Sequence, residues 1–379
     1  TGSNASSTGT LGASSFASAT IPNSALSANP TFRNRLINGG MVIDQRNNGA
    51  SSSSTGAYTV DRWYYAANLN KGTWGQNLNS ITAPAGFTNY LGFQSSSSYS
   101  IASGDYFLFS QYIEGFNWSD LNWGTANAKT VTLSFWVRSS LTGTFGGVIS
   151  NYAQNRCYPL SYTISAANTW EQKTITIAGD TSGTWVGASN AGAVQLSLAL
   201  AVGSTYSGTA GAWSGSTYIS STGATSVVGV SGATFYFTGV QLEVGSAASP
   251  FEVRSYGTEL NLCLRYYYMM SPSTQGSWNT GNSFATGYTY AGGDGMYYWF
   301  GFPVPMRATP TNLTMSAAST WSAVVGTVAT PTSATCSGNT PYYGSFALTG
   351  GGCGFGSSGL CGRIRINSSN TYADFSAEL

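Results

Sequence analysis

The sequence predicts an all-β chain: a jelly-roll β-sandwich followed by a short linking helix and a second, smaller β-sandwich. Three observations carry this reading. Apolar residues alternate with polar or small ones through most patterned segments, the period of two expected of half-buried strands. Between those segments lie turn-forming residues, with 48 Gly among abundant Ser, Thr and Asn. Hydrophobic residues make up 42% of the 379 positions and charged ones only 7%, so cores can form although little charge covers them.

Residues 1–29 are dominated by Ser, Thr, Ala, Gly and Asn and read as a flexible arm or linker from an upstream region. Asn29-Pro30 closes it, and residues 30–254 form the expected jelly roll. In Tyr106-Phe107-Leu108-Phe109 both parities are apolar, which suits a strand covered on both faces. Val131, Leu133, Phe135 and Val137 share one face, with Thr132, Ser134, Trp136 and Arg138 on the other. Val194, Leu196, Leu198, Leu200 and Val202 repeat the pattern with smaller residues between them. Parity flips between Phe235/Phe237 and Val240/Leu242/Val244, so a β-bulge is expected at Thr238-Gly239, where Gly tolerates the required backbone angles.

Residues 255–270 change period. Tyr256, Leu260, Leu264 and Tyr267 fall at helical spacing, Glu259 lies early, Arg265 lies late, and Pro272 stops the run, predicting a linking helix over 255–271. Residues 272–379 return to strands as a distal sandwich. Met296, Tyr298, Phe300 and Phe302 alternate with Tyr297, Trp299 and Gly301. Pro303, Pro305 and Pro310 bracket an edge or irregular crossing. Arg363-Ile364-Arg365-Ile366 alternates cleanly, and residues 372–379 form the returning strand.

Composition also excludes function classes. The net charge of +1 lacks the basic bias of a nucleic-acid binder. No apolar run is long enough to imply membrane insertion. The chain has no histidine, so a Ser-His-Asp triad is impossible and a zinc site would need four thiolates or carboxylates. No cofactor or metal is expected. The surface should be largely indifferent to pH near neutrality. Cys157, Cys263, Cys336, Cys353 and Cys361 are odd in number and irregularly spaced, so inert thiols are the default, with a bridge among the last three as the alternative.

Several motifs go further. They include Asn34-Arg35-Leu36-Ile37-Asn38-Gly39-Gly40-Met41-Val42-Ile43-Asp44-Gln45-Arg46, Tyr58-Thr59-Val60-Asp61-Arg62-Trp63 and Asn122-Trp123-Gly124-Thr125. To these add Thr238-Gly239-Val240-Gln241-Leu242-Glu243-Val244-Gly245, Pro250-Phe251-Glu252-Val253-Arg254 and Leu262-Cys263-Leu264-Arg265-Tyr266-Tyr267. In this order, from about residue 29 to the end, the set resembles the C-terminal region of phage tail-fibre and minor structural proteins of marine and cyanobacterial phages. That resemblance implies a homotrimeric virion appendage that recognises the host surface. The strand ending at Glu243 is also similar to the closing strand of jelly-roll carbohydrate-binding modules. Those commonly place an Asp for structural calcium where this chain has Thr238-Gly239.

Exposed aromatics on a polar scaffold suit sugar binding, because a ring packs on the sugar's C–H face while short polar side chains take its hydroxyls. The candidates are Trp278, Tyr288, Tyr290, Tyr342 and Tyr343 in distal loops and Trp136 on the non-core parity of its strand. Trp74, Trp118 and Trp123 are weaker loop candidates. Asp61-Arg62 is expected to pair beside a core Trp63, Asp44 and Arg46 are expected as fold-fixing partners, and Glu243, Glu252 and Arg254, near the domain junction, are expected to pair with each other or with a neighbouring subunit.

The expected function is host attachment through cell-surface polysaccharide, with residues 1–29 contacting other virion proteins. The alternatives are a purely structural head or fibre protein and a polysaccharide depolymerase. A depolymerase would draw its carboxylates from Glu114, Asp120, Asp61 and Glu243.

Overall fold

A computed structural model describes residues 32–270, 283–289, 295–325, 327–350, 361–366 and 371–379. The architecture is nearly all β, with a single α-helix among the described residues. No helix there is long and apolar enough to cross a membrane.

The first unit is a jelly-roll β-sandwich of two main antiparallel sheets. One sheet has six strands in the order Ala57–Tyr58, Tyr64–Ala67, Tyr106–Glu114, Gly192–Val202, Gly143–Asn151, Cys157–Ile164. The other has five, in the order Gly72–Gln76, Leu91–Ser95, Thr234–Val244, Val131–Ser139, Glu171–Ile177. The chain passes repeatedly between the sheets, so the apolar parity of each strand meets the other layer. Phe107, Phe109, Leu133, Phe135, Leu196, Leu198, Phe235 and Phe237 all lie in this one core, fully excluded from solvent. The expected bulge is present. Pairing of Thr234–Val244 with Val131–Ser139 shifts between Thr238 and Gln241, and Gly239 adopts φ 62°. A Cβ there would meet the Phe87 ring at 2.5 Å, so both backbone angle and packing require glycine.

Tryptophans expected in loops build the core instead. Trp74 belongs to a strand and is 1% exposed. Trp118 and Trp123 are buried in a cluster in which Trp123 meets Trp118, Trp185 and Trp213 edge to face at 4.7, 4.8 and 5.1 Å. The ring area removed from water outweighs the polar loop sequence around them.

The helix runs from Tyr256 to Leu264, capped by Ser255 accepting from the Thr258 N–H, and stops well short of residue 270. The run Tyr266-Tyr267-Tyr268 favours extended chain, and Tyr267–Met270 pairs as a strand with Ala373–Ser376. Tyr267 therefore contributes to a sheet rather than to a helix face.

The second unit packs a three-stranded sheet, Tyr267–Met270, Ala373–Ser376 and Asn312–Met315, against a seven-stranded one. The larger sheet runs Thr327–Ala329, Trp321–Val325, Cys361–Ile366, Ser283–Thr289, Gly295–Gly301, Tyr343–Thr349, Ser333–Gly338. Met296, Phe300, Trp321, Phe346, Ile364 and Phe375 form its core.

The two units share a buried junction. Ile37 and Ile43 pack with Cys263 and Tyr266. Arg62 reaches Glu378 rather than Asp61, and its guanidinium lies 3.4 Å above the Tyr266 ring. Arg46 bridges Asp61 at 3.8 Å and Glu378 at 3.1 Å. Arg265 holds Glu114 by two hydrogen bonds of 2.9 and 2.8 Å. Glu252 and Arg254 pair with each other at 3.2 Å, while Glu243 faces Arg33 at 3.6 Å. Burial pushes the thiols of Cys157 and Cys263 up, which suits inert packing groups. Cys336 and Cys361 are also free, and Cys353 lies outside the described residues.

Candidate functional site

The face of the six-stranded sheet turned away from the core forms a cleft of about 550 Å³. Strand pairing sets its floor. Tyr64 lies opposite Ser110, which lies opposite Ser197; Tyr112 lies opposite Gln195; and Leu108 lies between Ala66 and Ala199. Alternation places Tyr65, Phe109 and Leu196 in the core and turns these neighbours to the other face, where Tyr64, Ala66, Leu108, Tyr112 and Gln195 line the cleft. Residues 203–222 cross over one part of the sheet and supply Tyr206, Thr217 and Ile219 as a wall. This close approach depends on Gly146, where a Cβ would meet the Ser220 hydroxyl at 2.0 Å. The tight turn after Gly143–Asn151 carries Gln154, at φ 54°, to the opposite rim.

The polar floor is preorganised. Gln195 is 3% exposed, and its Nε2 donates to Ser110 Oγ at 3.2 Å and Ser197 Oγ at 3.1 Å. The two hydroxyls lie 2.8 Å apart. Gln154 Nε2 donates to Gln195 Oε1 at 2.6 Å, linking rim to floor. Three tyrosines lining the cleft are each braced by a second one: Tyr64 by Tyr58 at 5.1 Å, Tyr106 by Tyr206 at 6.3 Å, and Tyr112 by Tyr152 at 5.6 Å, all edge to face.

Among the described residues, no Asp, Glu, Lys or Arg lines the cleft. Burial pushes the Tyr112 phenol up to about 12, helped by the neighbouring phenols of Tyr152, Tyr64 and Tyr106. Burial raises Tyr64 as well, with Tyr106 adding to it. These hydroxyls stay protonated at ordinary pH and can both donate and accept. Aromatic rings, amides and hydroxyls without net charge match an uncharged ligand that combines C–H faces with many hydroxyl groups.

No family model and no curated protein matches the chain. Solved structures similar to part of it include the enzymatically active domain of tailspike protein 4 of bacteriophage CBA120. That match has 13% identity over 56% of this chain and 22% of the other, with a TM-score of 0.32. A family 61 carbohydrate-binding module in complex with β-1,4-galactotriose matches at 13% identity over 56% of this chain and 99% of the module, TM-score 0.30. A family 11 module from Clostridium thermocellum, in complex with a mixed-linked tetrasaccharide, matches at 10% identity over 53% and 98%, TM-score 0.27.

The residues singled out from sequence do not converge on the cleft. Trp136 is half-buried on the outer face of the five-stranded sheet, across the sandwich from it, opposite Thr238 and Gln172. Tyr342 and Tyr343 are 57% and 58% exposed on the second unit. Tyr288 is described only through its backbone pairing with Tyr297 and Cys361, and Trp278 and Tyr290 lie outside the described residues. Thr238 Oγ1 donates to the Asn89 carbonyl at 2.7 Å.

Sequence reasoning missed Tyr64, Tyr106, Tyr112, Gln154, Gln195 and Tyr206. The segment Tyr106–Phe109, expected to be covered on both faces, has Phe107 and Phe109 in the core and Leu108 in a second buried cluster with Val148, Cys157 and Ile219, while Tyr106 and, further along the strand, Tyr112 remain half-buried in the cleft. A signal was present in the second parity. Gln195 and Ser197 stand among the smaller residues between the core positions of Gly192–Val202, and Tyr64 and Ala66 flank Tyr65.

Proposed function

We propose that this chain binds a neutral glycan in the cleft of its first unit and serves as the host-attachment subunit of a phage appendage. The observation that carries the binding reading is a cleft lined by Tyr64, Tyr106, Tyr112 and Tyr206, with Gln154 and Gln195 fixed by hydrogen bonds to each other and to Ser110 and Ser197 beneath, and with no charged side chain lining it among the described residues. Rings supply stacking area, the amides and hydroxyls supply directional contacts, and the missing charge disfavours acidic sugars. The order of tail-fibre-like motifs supports placing that cleft on a virion, as a homotrimer joined to other virion proteins through residues 1–29. Three copies would turn a weak single contact into useful avidity.

Binding without catalysis is the reading we favour over a depolymerase. Each candidate carboxylate is engaged elsewhere: Glu114 with Arg265, Asp120 with Arg35 at 2.7 Å, Asp61 with Gln45 and Arg46, and Glu243 with Ser249.

The test is retention of the full chain on neutral and acidic polysaccharides prepared from host cells, at low and high salt. Retention on neutral material, insensitive to salt and accompanied by no release of reducing sugar, is expected. Binding only to acidic polymers, or binding abolished by salt, would refute the neutral-glycan reading.

A further inference from the structure

The cleft of the first unit is polar at one end and apolar at the other, and the division runs along the strands. At the polar end Tyr112 lies opposite Gln195, and Gln154 donates to Gln195. Thr217 Oγ1 donates to the Gln154 carbonyl at 3.0 Å, which ties the crossing segment to that end. Four residues back along the strand from Tyr112, Leu108 lies between Ala66 and Ala199, and Ile219 supplies the wall beside it. At about 3.3 Å per residue, this step separates the two ends by about 13 Å. They therefore meet different parts of one oligosaccharide.

The side chains of Ala66, Leu108 and Ile219 hold no polar atom to bond a sugar hydroxyl. Leu108 and Ile219 share a buried cluster with Val148 and Cys157, against which Ala66, Tyr106 and Tyr206 pack, so hydrocarbon backs this part of the floor. The Ile219 N–H is spent on the Tyr206 carbonyl at 2.8 Å, and the Leu108 backbone lies between two paired strands. A hydroxyl pressed into this corner loses its bonds to water without replacement, whereas a methyl group gains by leaving water. We infer that the cleft selects a neutral glycan containing a 6-deoxyhexose, whose C6 methyl rests on Ala66, Leu108 and Ile219 while a neighbouring sugar unit meets Gln154, Gln195 and Thr217; this rests on the cleft being the glycan site. The methyl of an acetyl group fits less well, because its carbonyl enters with it and finds no donor on those three side chains.

The test compares sugars that differ only at C6: the methyl glycosides of rhamnose and of mannose of the same hand, and those of fucose and of galactose of the same hand. Each is titrated into the full chain and followed by saturation-transfer NMR. At least one deoxy sugar should bind about tenfold or more tightly than its hydroxylated partner, the discrimination an apolar pocket exerts against one added hydroxyl, with its methyl protons receiving the strongest saturation. Ala66→Ser puts a hydroxyl into the apolar corner with little change of volume. In protein shown to be folded by its urea midpoint, it should bring that ratio to within about twofold. Equal binding within both pairs would overturn the methyl selectivity and leave the cleft reading standing. A preference that survives Ala66→Ser places the methyl elsewhere and would also overturn it, as would tighter binding of the N-acetylglucosamine glycoside than of either deoxy sugar. Binding of none of the four overturns the inference too; retention on the host's neutral polysaccharide then decides separately whether the cleft reading stands.

Discussion

Acidification from about pH 7.5 to about pH 5 should stabilise this protein, although it has no histidine to titrate in that interval. Asp61 is 1% exposed beneath the domain junction. Burial pushes its carboxyl from 3.8 up to about 6, against the lowering effects of Arg46 and of hydrogen bonds from Gln45. A folded-state value above the unfolded one means that the native state holds the proton more tightly. Stability is therefore greatest below the unfolded value and falls as pH rises through the window from 3.8 to 6. One proton at these two values is worth about 1.4 kcal/mol between pH 7.5 and pH 5, approaching about 3 kcal/mol at still lower pH. Asp44 and Asp374 are raised by burial too and add in the same direction. Asp105 and Glu171 are lowered, so their contributions are lost only below the ordinary carboxylate range, outside the interval. Urea midpoints measured across this pH range should rise on acidification, and Asp61→Asn should remove most of the slope. A midpoint that falls or stays flat, or an unaltered slope in Asp61→Asn, would refute the reasoning.

Three further perturbations probe the frame that holds the site. Gly239→Ala forces an L-residue to a left-handed angle against the Phe87 ring and should cost about 2 kcal/mol or more in urea unfolding; a cost under about 0.5 kcal/mol would mean the bulge relaxes freely. Glu378→Gln leaves the buried guanidinium of Arg62 without its counter-charge and should destabilise by about 3–5 kcal/mol, with protease cleavage appearing at the junction; wild-type protease resistance would argue against a structural pair there. The Tyr162 hydroxyl is buried without a hydrogen-bond partner, so Tyr162→Phe should leave the unfolding free energy unchanged or raise it by about 1 kcal/mol, and a clear loss would contradict that placement.

The fold was legible where period two and glycine chemistry spoke together. The parity switch around Thr238-Gly239 located a bulge because a one-residue slip would have turned Val240 and Leu242 outward, and both are fully buried. The helix was overextended because Tyr267 fits a helical face as well as a strand, and its pairing with Ser376 lies more than a hundred residues away in sequence. The cleft went unread for a related reason. Aromatics in polar loops look available from sequence, yet Trp123 packs against Trp185 and Trp213 from distant parts of the chain, while Tyr64, Tyr106 and Tyr112 sit inside apolar-looking strands. Local sequence shows which parity a residue occupies. Which of the two faces a neighbouring layer will cover depends on contacts distant in the chain. The charged motifs behaved similarly: Arg62 was expected beside Asp61 and instead reaches Glu378 near the other end of the chain.

The most direct test of the central claim is a crystal structure of the full chain with a neutral oligosaccharide cut from the polysaccharide that retains it best. A sugar ring is expected within about 4 Å of Tyr64, Tyr106 or Tyr112, with its hydroxyls on Gln154 and the rim of the Gln195 network. A ligand bound instead on the outer face of the five-stranded sheet at Trp136, with the tyrosine cleft empty, would contradict it.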